Sequence, residues 1–63
     1  MTDLFAGAEI SRADKLGELR REIAMRKRVY GRQVARGAMT QGQMDRGIAV
    51  MEAILADYEG KQP

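Results

Sequence analysis

The sequence predicts an all-α fold, a two-helix antiparallel hairpin that dimerises into a four-helix bundle. Three observations predict it. Apolar residues recur at helical spacing in two segments. A paired stop-and-start signal separates those segments. The chain is too short, at 63 residues, for two helices to bury a self-sufficient core.

The junction runs Arg36-Gly37-Ala38-Met39-Thr40-Gln41-Gly42-Gln43-Met44. Gly37 suits the left-handed position just past a helix end. Thr40 and Gln43 have the spacing of a capping box, and Met39 and Met44 that of a hydrophobic staple. One helix therefore ends near 36, a turn spans 37–40, and a second helix begins at 41.

Residues 1–10 read as a flexible leader. Leu4, Phe5 and Ile10 are its large apolar groups, and Gly7 opposes a rigid helix. The leader is either a frayed tail or a short linear docking motif, because Leu-Phe pairs occur in peptides that bind clefts on replication clamps.

The hairpin then occupies 11–60. Ser11 and Asp14 are spaced as an N-cap and an acidic third residue, so the first helix should cover about 12–36. Leu16, Leu19, Ile23, Tyr30 and Val34 fall within about a 60° stripe at 100° per residue. Arg26 and Lys27 flank that stripe, where their methylene stems can cover apolar surface. The second helix should cover about 41–58. Met44, Ile48, Met51, Leu55 and Tyr58 alternate steps of four and three, as a bundle helix requires. Gly47 lies at the edge of this stripe, which signals close approach of another helix. Gly60 and Pro63 follow the helix end.

Four apolar residues fall outside the seam. Val50 and Ile54 widen the apolar arc of the second helix, so the expected dimer interface comprises Gly47, Val50, Met51 and Ile54. Met25 and Val29 project away from the seam of the first helix. Around them stand Arg21, Arg28, Arg32 and Arg36, all within about 80° of one another. Arginine suits planar or bidentate contacts to carboxylate or phosphate, and arginines around an apolar centre resemble an interface hot spot. The candidate partner-binding set is thus Arg21, Met25, Arg28, Val29, Arg32 and Arg36. A solvated charged face is the plainer reading of the same residues.

Charge supports both readings. Residues 12–36 hold nine basic and three acidic side chains, whereas the remainder holds two basic and six acidic ones. The asymmetry implies either pairing between helices, within or between subunits, or a ligand-binding patch. Nucleic acid is the alternative partner for a basic helix. Against it, base-reading side chains are scarce on the first helix, where only Gln33 occurs, and no supporting helix accompanies the hairpin.

Several classes are argued against. The chain has no cysteine and no histidine, which removes thiolate metal sites and the commonest general base. No phosphate-cradling glycine loop or nucleophile–base pair is present, so neither an enzyme nor a metal- or cofactor-dependent protein is expected. The start lacks the basic and long apolar segments of a signal peptide. No apolar run approaches the ~20 residues of a bilayer span. A cytoplasmic location without membrane contact is the expectation.

One resemblance adds to this reading. The run Leu19-Arg20-Arg21-Glu22-Ile23-Ala24-Met25-Arg26-Lys27-Arg28-Val29-Tyr30, with Val34, Gly37, Met39-Thr40, Asp45, Ile48 and Val50-Met51-Glu52-Ala53-Ile54, resembles small uncharacterised proteins of bacteriophages and prophages. Gly31 and Gln33 stand where such proteins often carry proline and tryptophan. More distantly, the architecture is similar to phage anti-quorum-sensing proteins, dimeric helical hairpins that inhibit host regulators. The resemblance implies a phage-type accessory or inhibitor protein that binds a host protein in the host cytoplasm.

Overall fold

The computed structural model describes residues 9–60. Residues 1–8 of the leader, with Leu4 and Phe5, and the terminal Pro63 lie outside the described residues, and Ile10 is exposed. Two helices make the fold, α1 (Arg12–Ala35) and α2 (Gln41–Glu59). They pack against each other as an all-α hairpin. Helix α1 ends one residue earlier than the spacing predicts, and α2 ends one residue later.

Both helices begin with the same device. The Ser11 hydroxyl accepts from the Asp14 backbone N–H at 3.0 Å, and the Asp14 carboxylate accepts from the Ser11 N–H at 3.0 Å. The Thr40 hydroxyl accepts from the Gln43 N–H at 3.0 Å, and the Gln43 side-chain oxygen accepts from the Thr40 N–H at 2.9 Å. Each box satisfies a helix amide that has no intrahelical acceptor and closes back on the cap itself.

The stop signal of α1 is equally direct. Gly37 has φ of 78°, a conformation that costs glycine nothing and a β-branched residue a great deal. The chain reversal there lets Ala38 N–H donate to Gln33 C=O at 2.8 Å and Gly37 N–H donate to Val34 C=O at 3.0 Å. This pair of bonds is the Schellman motif, and it uses carbonyls that the ending helix leaves unpaired.

The seam follows the predicted stripes with one exception. Ile23 and Ile48 are its two buried residues, at 5% and 9% exposure. Leu16, Leu19, Tyr30 and Val34 of α1, with Met44, Met51 and Leu55 of α2, are half-buried around them. Tyr58 departs from the expectation and is 52% exposed. It sits at the edge of the α2 stripe and lines an open groove with Lys15, Glu18, Leu19 and Glu22.

Gly47 is explained by its own chain. A Cβ there would lie 3.2 Å from the Tyr30 ring, so the expected close helix approach is that of α1. Gly47 therefore faces α1 within one hairpin, and Met51 is half-buried on the α2 stripe that carries Ile48. Val50 and Ile54 stand apart from it, at 43% and 38% exposure.

Candidate partner-binding face

The basic residues at positions 12–36, apart from Lys15 and Arg26, fall into two groups. The first group reaches across to α2. Arg12 Nε donates to the Tyr58 carbonyl at 2.9 Å, placing a cation at the negative end of a helix with no basic residue in its last turn. Arg20 contacts Glu59 at 2.6 Å, and Lys27 contacts Glu52 at 3.3 Å. The charge asymmetry is therefore expressed within one chain at these positions. Glu52 and Glu59 are thus partners of their own α1. Arg26 pairs along α1 with Glu22 at 2.9 Å.

The second group is the arginine face. Arg21, Met25, Arg28, Arg32 and Arg36 are all exposed, on the side of α1 opposite Ile23. The reason is geometric. Steps of three and four from Arg21 keep these positions on one line, about half a turn from the Leu16–Val34 stripe. Arg21 contacts Glu18 at 2.6 Å, with both side chains about three-quarters exposed, a pair of little energetic weight. Arg28, Arg32 and Arg36 make no ion pair among the described residues. Arg32 lies in the last turn of α1, where a cation also complements the helix dipole.

Met25, 44% exposed, is the apolar group at the centre of this face. Val29, assigned to the same patch by sequence, is half-buried. The face shares no residue with two open grooves beside the seam, one lined by Lys15, Glu18, Leu19, Glu22 and Tyr58 and the other by Arg12, Ala13, Leu16, Arg20 and Glu59. It can offer a cationic surface with one flexible apolar contact.

Sequence periodicity placed the arginine face. It did not single out Arg12, whose role at the far end of α2 depends on how the two helices align. A basic residue in the first turn of α1 and none in the last turn of α2 was the available signal. No helix among the described residues is long and apolar enough to cross a membrane. In comparison with known proteins, no family model matches the chain, and no curated protein or solved structure matches it.

Proposed function

We propose that the protein is a non-catalytic, homodimeric binding module whose α1 outer face docks on an acidic protein surface. One observation carries this reading. Arg28, Arg32 and Arg36 are exposed and unpaired among the described residues, whereas Arg12, Arg20 and Lys27 are engaged by α2. The fold uses some of its cations and leaves a contiguous set free. Each guanidinium there can meet a carboxylate in bidentate geometry, and Met25 supplies an adaptable apolar contact.

The sequence resemblance to small phage proteins extends the proposal to a host protein as target, in the host cytoplasm. The hairpin then acts as an accessory or inhibitor by covering the surface it binds. Dimerisation through Val50 and Ile54 presents two arginine faces per particle. Two linked sites raise avidity without new contacts, provided that the target can engage both.

A second reading is favoured by the linearity of the array. Arg28, Arg32 and Arg36 repeat every four residues, about 6 Å apart along the helix axis, an arrangement that suits a row of phosphates. The two readings separate in one experiment, affinity capture from a bacterial lysate with and without nuclease, using the parent and the R28E/R32E variant. Protein docking predicts a partner that survives nuclease and moderate salt and is lost with the variant. Retention that disappears with nuclease, together with steeply salt-dependent DNA binding, sinks the protein reading in favour of nucleic acid.

A further inference from the structure

We infer that the outer face of α2 binds the same face of a second copy in antiparallel orientation, with Arg46 of each copy paired to Asp57 of the other. The inference rests on the homodimer reading above and specifies its geometry.

The starting observation is how little the single hairpin buries. Ile23 and Ile48 are its only buried apolar residues among those described, and the chain has no cysteine for a disulfide. Scaffolds this small are usually completed by oligomerisation or another staple. The apolar surface for that purpose is on α2. Val50 and Ile54 are one helical turn apart and are exposed at 43% and 38%.

The residues framing that pair choose the partner. Arg46 lies one turn before Val50, and Asp57 lies one turn after Ile54. At 100° per residue, Arg46, Val50, Ile54 and Asp57 fall within about 80° of one another. Both Arg46 and Asp57 are exposed, and neither side chain has an ion pair or hydrogen bond among the described residues. The face therefore carries a cation at one end, an anion at the other and apolar groups between them.

Such a face is complementary to itself in only one sense. An isologous interface repeats the same patch under a two-fold axis. With the axis near the level of residue 52, Val50 meets Ile54 of the other copy. Arg46 then lies within about 1.5 Å, along the axis, of the level of Asp57 of the other copy. Parallel pairing instead sets arginine against arginine and aspartate against aspartate, and like charges there repel. The ion pairs lie at the rim, where they select orientation, while Val50 and Ile54 supply the burial.

The test uses the full chain. Sedimentation equilibrium of the parent should give twice the monomer mass; a monomer would overturn the homodimer reading itself, and with it this geometry. Arg46→Glu alone and Asp57→Arg alone should each raise the dimer dissociation constant about tenfold. R46E/D57R should return it to near the parent value, with helicity checked in every case. A stable dimer whose double variant is as weak as the singles overturns the antiparallel pairing while leaving the dimer standing. Cysteine reporters give an independent reading because the native chain has none. Val50→Cys mixed with Ile54→Cys should join by a disulfide. Gln43→Cys should not, because antiparallel copies hold position 43 about 27 Å from its mate along the axis. Disulfide formation by Gln43→Cys means parallel helices and rules the proposal out.

Discussion

Helices α1 and α2 are built alike on the inside and differ on the outside. Each opens at a reciprocal capping box, and each places one isoleucine, Ile23 or Ile48, in the small core. Away from the seam, α1 presents Arg28, Arg32 and Arg36 around Met25, whereas α2 presents Val50 and Ile54 between Arg46 and Asp57. The inner pattern makes the hairpin. The outer patterns differ: one face is cationic and is proposed to meet a foreign acidic surface, the other is apolar between opposite charges and is proposed to meet its own copy. A two-helix protein thus has one side per helix left for recognition, and the two sides can diverge without disturbing the seam.

The inner likeness is tested by the largest changes. Ile23→Ala and Ile48→Ala should each cost about 2–5 kcal/mol, the range for truncating a buried isoleucine. Because these two residues are the whole buried core of the described chain, either variant should be largely unfolded at room temperature by circular dichroism. A cooperative melt near the parent temperature for one of them would show that the helices do not share the core equally.

Next come the helix boundaries. Gly37→Val should cost more than about 1 kcal/mol, because a β-branched residue resists the positive φ. Thr40→Ala should cost about 1 kcal/mol by removing the acceptor for the Gln43 amide. Thermal melts of the two variants should preserve that order. If neither melt moves, the turn does not hold the hairpin together.

The two capping boxes also differ in how they respond to acid. Hydrogen bonds from the Ser11 backbone and hydroxyl hold the Asp14 carboxyl below its ordinary range. A depressed carboxylate pKa gives stability that is present above the unfolded value and lost as pH falls through the folded value. The α2 box uses Gln43, which does not titrate. Acidification below about pH 4 should therefore fray the start of α1 and spare the start of α2. Amide chemical shifts of residues 11–14 and 40–43 report this directly. Asp14→Asn should remove the difference, and parallel titration of both segments would contradict it.

The helix starts, the turn and the two stripes of the seam are legible in the sequence because they depend on local spacing: Ser11 to Asp14, Gly37, Thr40 to Gln43, and steps of three and four. The contacts across the hairpin are less so. Arg12 on the Tyr58 carbonyl, Arg20 on Glu59, and Tyr30 against Gly47 depend on the axial alignment and rotation of α1 against α2. Periodicity fixes which face is inward but leaves that alignment open. Tyr58 was misplaced for a related reason, since a stripe defines a direction and not how far the neighbouring helix covers it. The arginine face is readable as a face, but its division from the structural cations depends on the pairing of Glu52 with Lys27 and Glu59 with Arg20, which helical spacing leaves open.

Two glycines sharpen the contrast by a smaller amount. Gly31 has open space where a Cβ would stand, whereas Gly47 would place one 3.2 Å from Tyr30. Gly31→Ala should gain up to about 1 kcal/mol of helix stability. Gly47→Ala should lose that gain, because the Tyr30 ring must shift. Urea unfolding of both variants measures the difference, and equal stabilisation would mean that the ring yields freely.

The smallest expected change in stability is on the arginine face, where it is also the most informative. Arg28 is exposed and makes no ion pair among the described residues. It also precedes the last turn of α1, so the helix dipole acts on it weakly. Arg28→Glu should shift stability by no more than about 0.5 kcal/mol, and the new glutamate sits one turn before Arg32, where opposite charges attract. Partner retention should fall far more, since an arginine in a desolvated contact can carry over 2 kcal/mol. Melting temperature and retention must be read on the same preparation. A normal melt with lost binding supports a division between a folding side and a recognition side. A lowered melt would return Arg28 to the structural cations beside Arg20 and Lys27. A normal melt with full binding would leave Arg28 as a solvated charge and move the contact elsewhere on the hairpin.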